Sequence, residues 1–359
     1  MRNLLIVLSI GWATFSMGQS IIPLVDFNRY FKNFQDGYFR QLEFQPISEF
    51  KSGDSLVVYV DFRGNLIVYD GKDKTNVSNM EVEYKVSDKL MTWKIGETLN
   101  MWDHLGKRTL TFNVRNYWVK DDIVVFEDVR YNSVSVYFNG QIYPLYTSLG
   151  DFEAPDFIGE NVVAFRDNGN FNKVFWNGRI YDIDVWHSSF NFEGGTNIIA
   201  FNDPVNGTFA VFDNGQFLDV EEFHMDTYKA GRDFVAYLNR NGDLMYYKDG
   251  SKEKLTNFGP GSWAVKDDLV VWTENSFFYA FSNGEKIQLA RYIPEAYELK
   301  NNTLAFRNVM GGVSALVDGN VVEITNQMNS SYSIHGNSVL VELFNKSFIL
   351  FTGGKKYTL

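Results

Sequence analysis

Two near-identical phrases carry paired carboxylates: VKDDIVVF at 119–126 and VKDDLVVW at 265–272, which start 146 residues apart. Adjacent aspartates are the residue types of general acid–base catalysis and of cation ligation. A second constellation joins imidazole to carboxylate, in DVWH at 184–187 and EEFHMD at 221–226. Asp184 and Glu221 each follow a turn glycine (Gly178, Gly215) by six residues, and His187 and His224 follow it by nine. Two histidines and two carboxylates at matched offsets suit a divalent transition metal, or proton transfer near neutral pH. Trp186 beside them, with Trp176, offers an aromatic platform for a sugar.

The chain tests these readings itself, because each phrase has counterparts. The positions of Asp121-Asp122 are occupied elsewhere by Ser87-Asp88, Gly159-Glu160, Asn301 and Gly336-Asn337. All are turn formers, whose side chains cap the backbone or tolerate unusual φ. A turn accounts for every copy, whereas catalysis accounts for two. The same alignment sets His335 at the place of Lys120 and Lys266, a turn site expected to face solvent. The histidine rim reads most simply as two loop histidines kept from a shared repeat. No catalytic residue, metal or cofactor is therefore assigned. Asp184, Trp186, His187, Glu221 and His224 stand as binding candidates, and as the basis of an alternative: a carbohydrate-active or metal-dependent enzyme.

The elements that carry these residues recur. An apolar strand ending in a large residue appears nine times, with key positions at Tyr59, Trp93, Phe126, Phe165, Phe201, Tyr237, Trp272, Phe306 and Val341. The spacings are 34, 33, 39, 36, 36, 35, 34 and 35 residues. Each is followed by an alternating strand that closes on a glycine turn, as in VSVYFNG, KVFWNG and FAVFDNG. Asn-Gly and Asp-Gly supply the positive φ of a tight hairpin. A third strand follows, and an aromatic phrase such as NYWV or GSWAV precedes each unit. Three or four short strands in about 35 residues form one small antiparallel sheet that cannot bury its faces alone. Stacked radially, such sheets make a β-propeller. The predicted fold is thus all-β, a single β-propeller of eight or nine blades over 53–359. Residues 19–52 form an N-terminal arm with a partial repeat around Gly37, placed to close the ring.

The N-terminus has one positive charge, an apolar run over 4–15 and small residues before Gln19. This is the pattern of a cleavable secretory signal, residues 1–18. The run is too short to span a bilayer, and no later segment is long and apolar enough. The absence of cysteine excludes a lipoprotein anchor and disulfide staples. A periplasmic or secreted bacterial protein is expected. A net charge of −11 argues against nucleic acid or an anionic membrane surface as partner.

Phrases such as GENVVAFRDNGNFNKVFWNG at 159–178 resemble the exported WD40-like and TolB-like bacterial propellers, over nearly the whole mature chain. No Trp-Asp ending, Asp-box or kelch double glycine is present. The composition resembles that of accessory subunits of envelope machines, including those that close the type 9 secretion translocon. The resemblance implies a non-enzymatic docking protein, peripheral to the outer membrane, whose partner is an envelope protein such as an outer-membrane translocon. Arg130-Tyr131 and the segment 26–34 are expected contact elements.

Overall fold

The computed structural model describes residues 21–148, 150–183 and 190–359. The expected signal segment and the candidates Asp184, Trp186 and His187 lie outside the described residues.

Each repeat folds as a sheet of four antiparallel strands, here called A to D in chain order. In the unit holding the first VKDD these are Val114–Val119, Ile123–Asp128, Ser133–Phe138 and Gln141–Thr147, paired in sequence order. Local chemistry fixes the hairpins. Asn139 and Gly140 between C and D both have positive φ, 43° and 88°, as a type I′ turn demands. Strand B is buried along its whole length, so its sheet has no solvent face. The nine key positions are all 2% exposed or less.

The ring has ten blades, which corrects the expected eight or nine. Residues taken as an arm make a blade of their own, with strands Ile22–Val25, Phe31–Gln35 and Tyr38–Glu43. They also supply strand A of blade 2, Glu49–Ser52, so the boundary drawn at residue 53 cuts through that blade. The first blade was hard to count because its opening strand reads IPLV, without the aromatic that marks the others.

Ten apolar clusters join the ten blades, each uniting residues of two neighbours. Closure is made by Ile22, Leu24 and Phe34 of blade 1 against Leu340, Phe348 and Leu350 of blade 10. The rings of Phe34 and Tyr357 lie 4.7 Å apart there.

Strands A of successive blades touch one another, as Tyr297–Lys300 touches Ser331–His335, which places A innermost. Strand alternation then sorts the connections. The A–B and C–D turns share one face of the ring, and the B–C turns and D–A loops share the other. Truncating one key residue, Phe126→Ala, should cost about 3–5 kcal/mol. The check is the denaturant midpoint, which should fall with the slope unchanged.

Candidate functional site

The A–B turns gather around the inner end of the ring. Residues from turns of blades 2, 3, 4, 5, 6, 7, 9 and 10 line one cavity of about 930 Å³, among them Asp54, Asp88, Asp121, Asn197, Arg232 and Asn301. The turn reading of VKDD holds: Asp267, Asn301, Asn197 and Asp233 all have φ between 48° and 65°. Asp and Asn tolerate that left-handed region better than other side chains with a Cβ.

Neighbouring turns are stitched to one another. The backbone N–H of Asp122 donates to the carbonyl of Glu160, that of Glu160 to Gly195, and that of Thr196 to Gly231, each at 3.2 Å. Asp268 N–H reaches Asn301 in the same way. Side chains complete the belt. Asp121 Oδ1 accepts the Asp88 N–H at 3.1 Å, and the Asp121 N–H donates to Glu160 Oε2 at 3.3 Å. Asn197 bridges Asn161 and Asp233. Blade 1 shows no such turn among the described residues, and beside it Lys300 links blades 9, 2 and 3, with its ammonium 2.8 Å from Asp54 and 2.7 Å from Asp88. The Gly336 N–H donates to Asp54 at 3.1 Å.

The charges respond to this crowding. Burial raises the Asp121 carboxyl to about 7, helped by the negative charges of Asp88 and then Glu160. Burial opposes the Lys300 charge, but Asp54 and Asp88 outweigh it and hold that lysine above its ordinary range. His335 is not solvent-facing. It is buried, one ring nitrogen 3.0 Å from Ser333 Oγ, and burial followed by the Lys300 charge lowers it to about 4. It closes strand A in the register of Lys266, each pairing with the residue three positions on, so the alignment holds and only the solvent-facing expectation fails. Among the described residues no group of three or more His, Asp or Glu side chains is arranged to hold a metal ion. The belt can store a proton on Asp121 near neutral pH.

The described members of the histidine rim are separated by their bonds. Glu221 accepts the Tyr237 hydroxyl at 2.5 Å and the Lys252 ammonium at 3.3 Å, both from the next blade. Glu43, Tyr59 and Lys74 repeat the arrangement between blades 1 and 2, five blades earlier, with distances of 2.5 and 2.8 Å. Burial, then the facing carboxylate, raises the hydroxyls of Tyr59 and Tyr237. Glu221 is thus half of an interblade clasp. His224 is exposed in the following D–A loop, with Nε2 2.9 Å from the carbonyl oxygen of Asp203. Trp176 is half-buried, its indole N–H donating to Asn197.

The opposite face has another chemistry. Its B–C turns carry Phe27, Phe62, Tyr131, Val205, Met310 and Phe344, and its D–A loops carry Phe44, Met80, Phe112, Phe258, Ile293 and Met328, all exposed. On the A–B and C–D turns only Leu105 is a large exposed hydrophobic among the described residues. The apolar face also holds Arg29, Arg63, Arg130, Arg240 and Arg291, none of which forms an ion pair among the described residues. Arg130-Tyr131 and part of the segment 26–34 were expected from the sequence to make contacts. The rest of the face was missed, although phrases such as DFRGN and LFNKS place a phenylalanine where a turn needs none.

A family model of the 10-bladed beta propeller domain matches residues 15–357. No curated protein matches the sequence. Among solved structures, a computationally designed protein, Ika8, shares 16% identity over 80% of this chain and 96% of its own, with a TM-score of 0.34. A structure titled as the eukaryotic initiation factor shares 11% over 95% and 96%, TM-score 0.43. The WD40 ectodomain of the Arabidopsis thaliana receptor kinase ACR4 shares 10% over 68% and 82%, TM-score 0.30. At these values the likenesses carry no argument about function.

The belt generates two predictions. A carboxyl raised in the folded state lends stability below its ordinary range and loses it as pH rises through about 7. Asp121→Asn should therefore raise the melting temperature by a few degrees at about pH 8, the gain vanishing by about pH 4. Tyr237→Phe leaves Glu221 with one partner fewer and should cost about 1–3 kcal/mol in a chemical denaturation series.

Proposed function

The chain belongs to the 10-bladed β-propeller domain family, and we propose that it is a non-enzymatic docking protein whose partner binds the face of B–C turns and D–A loops. The observation that carries this reading is the difference between the two faces. One presents capped, mutually bonded Asp, Asn and Gly turns, and the other presents exposed Phe, Tyr and Met with unpaired arginines. Aromatic residues, Met and Arg are the types enriched in protein interfaces, and they dominate binding energy where they are fully desolvated. Soluble proteins rarely leave many large apolar side chains on one surface without a use. The partner this face fits has apolar recesses bordered by carboxylates, since the free cations here are arginines on a chain of net charge −11.

The compartment belongs to the same proposal. The secretory pattern of the N-terminus supports export to the periplasm, and the resemblance to envelope accessory subunits supports a role beside an outer-membrane secretion translocon. No helix among the described residues is long and apolar enough to cross a membrane.

The test compares full-length protein with Phe27→Ser/Phe62→Ser/Phe344→Ser and with a control on the other face, Leu105→Ser. Affinity purification from the envelope fraction with quantitative mass spectrometry should recover an envelope protein in stoichiometric amount with wild type and control. The triple variant should lose it by tenfold or more, as about 2 kcal/mol per hot-spot side chain implies. Equal recovery by the triple variant, or no stoichiometric envelope protein with any chain, overturns the reading.

A further inference from the structure

A repeated lysine stitches the outer strands of neighbouring blades together. Among the described residues, five blades carry it at the same rung of strand D, opposite Tyr69, Trp102, Tyr247, Phe281 and Phe351 of strand C. Each ammonium crosses to a backbone carbonyl near the end of the preceding blade's strand D. Lys74 donates to Leu42, Lys107 to Val77 at 2.8 Å, and Lys252 to Val220 at 2.9 Å. Lys286 donates to Leu255 and Lys356 to Ile324, both at 3.0 Å. Four of the acceptors, Leu42, Val77, Val220 and Ile324, are the extra residue of a β-bulge, which falls out of the ladder. Lys107 and Lys286 also lie over the rings of Trp93 and Trp272, each at 5.1 Å.

The other blades break the pattern. Blade 1 has Phe39 on this rung, packed into the closure cluster. Blades 4, 5, 6 and 9 have Ile142, Ile180, Phe217 and Val321, which are 37–45% exposed. On blades 4, 5 and 6 these side chains stand next to one another, so the outer wall carries an apolar stripe across three blades. The bulges persist beneath it, with Leu110 of blade 3 and Leu145 of blade 4 as the extra residues. The following blade offers each an isoleucine where a lysine would donate, and no lysine reaches either carbonyl among the described residues. Arg108 and Arg179 stand at the opposite, turn end of this wall.

We propose that this wall is a contact surface for another protein, whose bound segment brings a lysine flanked by apolar residues. Its ammonium takes the bulge carbonyl of Leu110 or Leu145, as strand D lysines do from within the chain at five other junctions. Its apolar flanks cover Ile142 and Ile180. The net charge of −11 favours a cationic segment over an acidic one. A second copy of this chain, meeting the wall through its own stripe, would bring no strand D lysine to it. The wall is distinct from the face of B–C turns and D–A loops, and neither reading depends on the other.

The probe is a synthetic peptide with blocked ends, NGEKIQLA, which copies residues 283–290 and so carries Lys286 in its own strand. Its control has glutamine in place of the lysine. In methyl NMR of full-length protein labelled at isoleucine and leucine, the lysine peptide should shift Ile142, Ile180, Leu110 and Leu145 saturably. The glutamine peptide should bind about tenfold more weakly, the size of one hydrogen bond to a charged group. Ile142→Lys/Ile180→Lys fills both places from within the chain, so it should melt no lower than wild type and lose the peptide-induced shifts of Leu110 and Leu145. No shift at these methyls, equal affinity of the two peptides, or unchanged binding by the lysine variant overturns the proposal. A concentration-dependent dimer in sedimentation that the lysine variant lacks overturns it as well, and assigns the wall to a second copy. If the lysine variant melts below wild type, the peptide pair on wild-type protein decides.

Discussion

Contact between neighbouring sheets is the constraint on which this structure depends. A sheet of four strands with both faces apolar has no stable existence in water by itself, so every blade needs two neighbours. Strands such as Ile123–Asp128 and Leu269–Glu274 are buried along their whole length only because blades stand on both sides of them. The ring is the arrangement that gives every sheet two covered faces, and it must close to do so. Closure here falls to Ile22, Leu24 and Phe34 against the last blade. Polar clasps reinforce this packing at the outer strands. Glu43 with Tyr59 and Glu221 with Tyr237 bind successive blades through the same pair of residue types at the same separation.

Strand parity turns this packing into two unlike faces. With four antiparallel strands per blade, half of the connections must emerge at each end, and each end can be given its own composition. The inner turns use short polar residues with left-handed φ, and these bond to one another across blades. Burial first, and then the carboxylates of Asp88 and Glu160, resist the ionisation of Asp121 and raise it to about 7. Lys300, fixed between Asp54 and Asp88, supplies a balancing charge to the belt. The other face is free of these demands, so its turn tips accommodate phenylalanine, methionine and unpaired arginine.

Much of the architecture was legible in the sequence because it is local and repeated. The hairpin turns at Asn139-Gly140 and Asn214-Gly215 adopt the φ values their residue types imply. The large residues at Tyr59, Trp93 and Trp272 are buried as their period required. The blade count failed at the first blade, where IPLV carries no aromatic and a single glycine marks the turn. The site was less legible. Asp121 and Asp267 were recognised as turn residues, but their convergence with Arg232 and Asn301 depends on blades far apart in the chain. His335 holds the register of Lys266, but its shorter side chain is buried where the lysine is exposed, a difference the repeat does not reveal.

The sequence by itself determined the repeat, the hairpin geometry and the all-β class, because periodicity and turn chemistry act over a few neighbouring residues. Tertiary structure alone decided the number of blades, the fate of Glu221 as a clasp, the gathering of the inner turns and the division into a polar and an apolar face. Those outcomes depend on how many sheets are needed to close a circle and on which strand ends then meet. No short-range interaction along the chain encodes either.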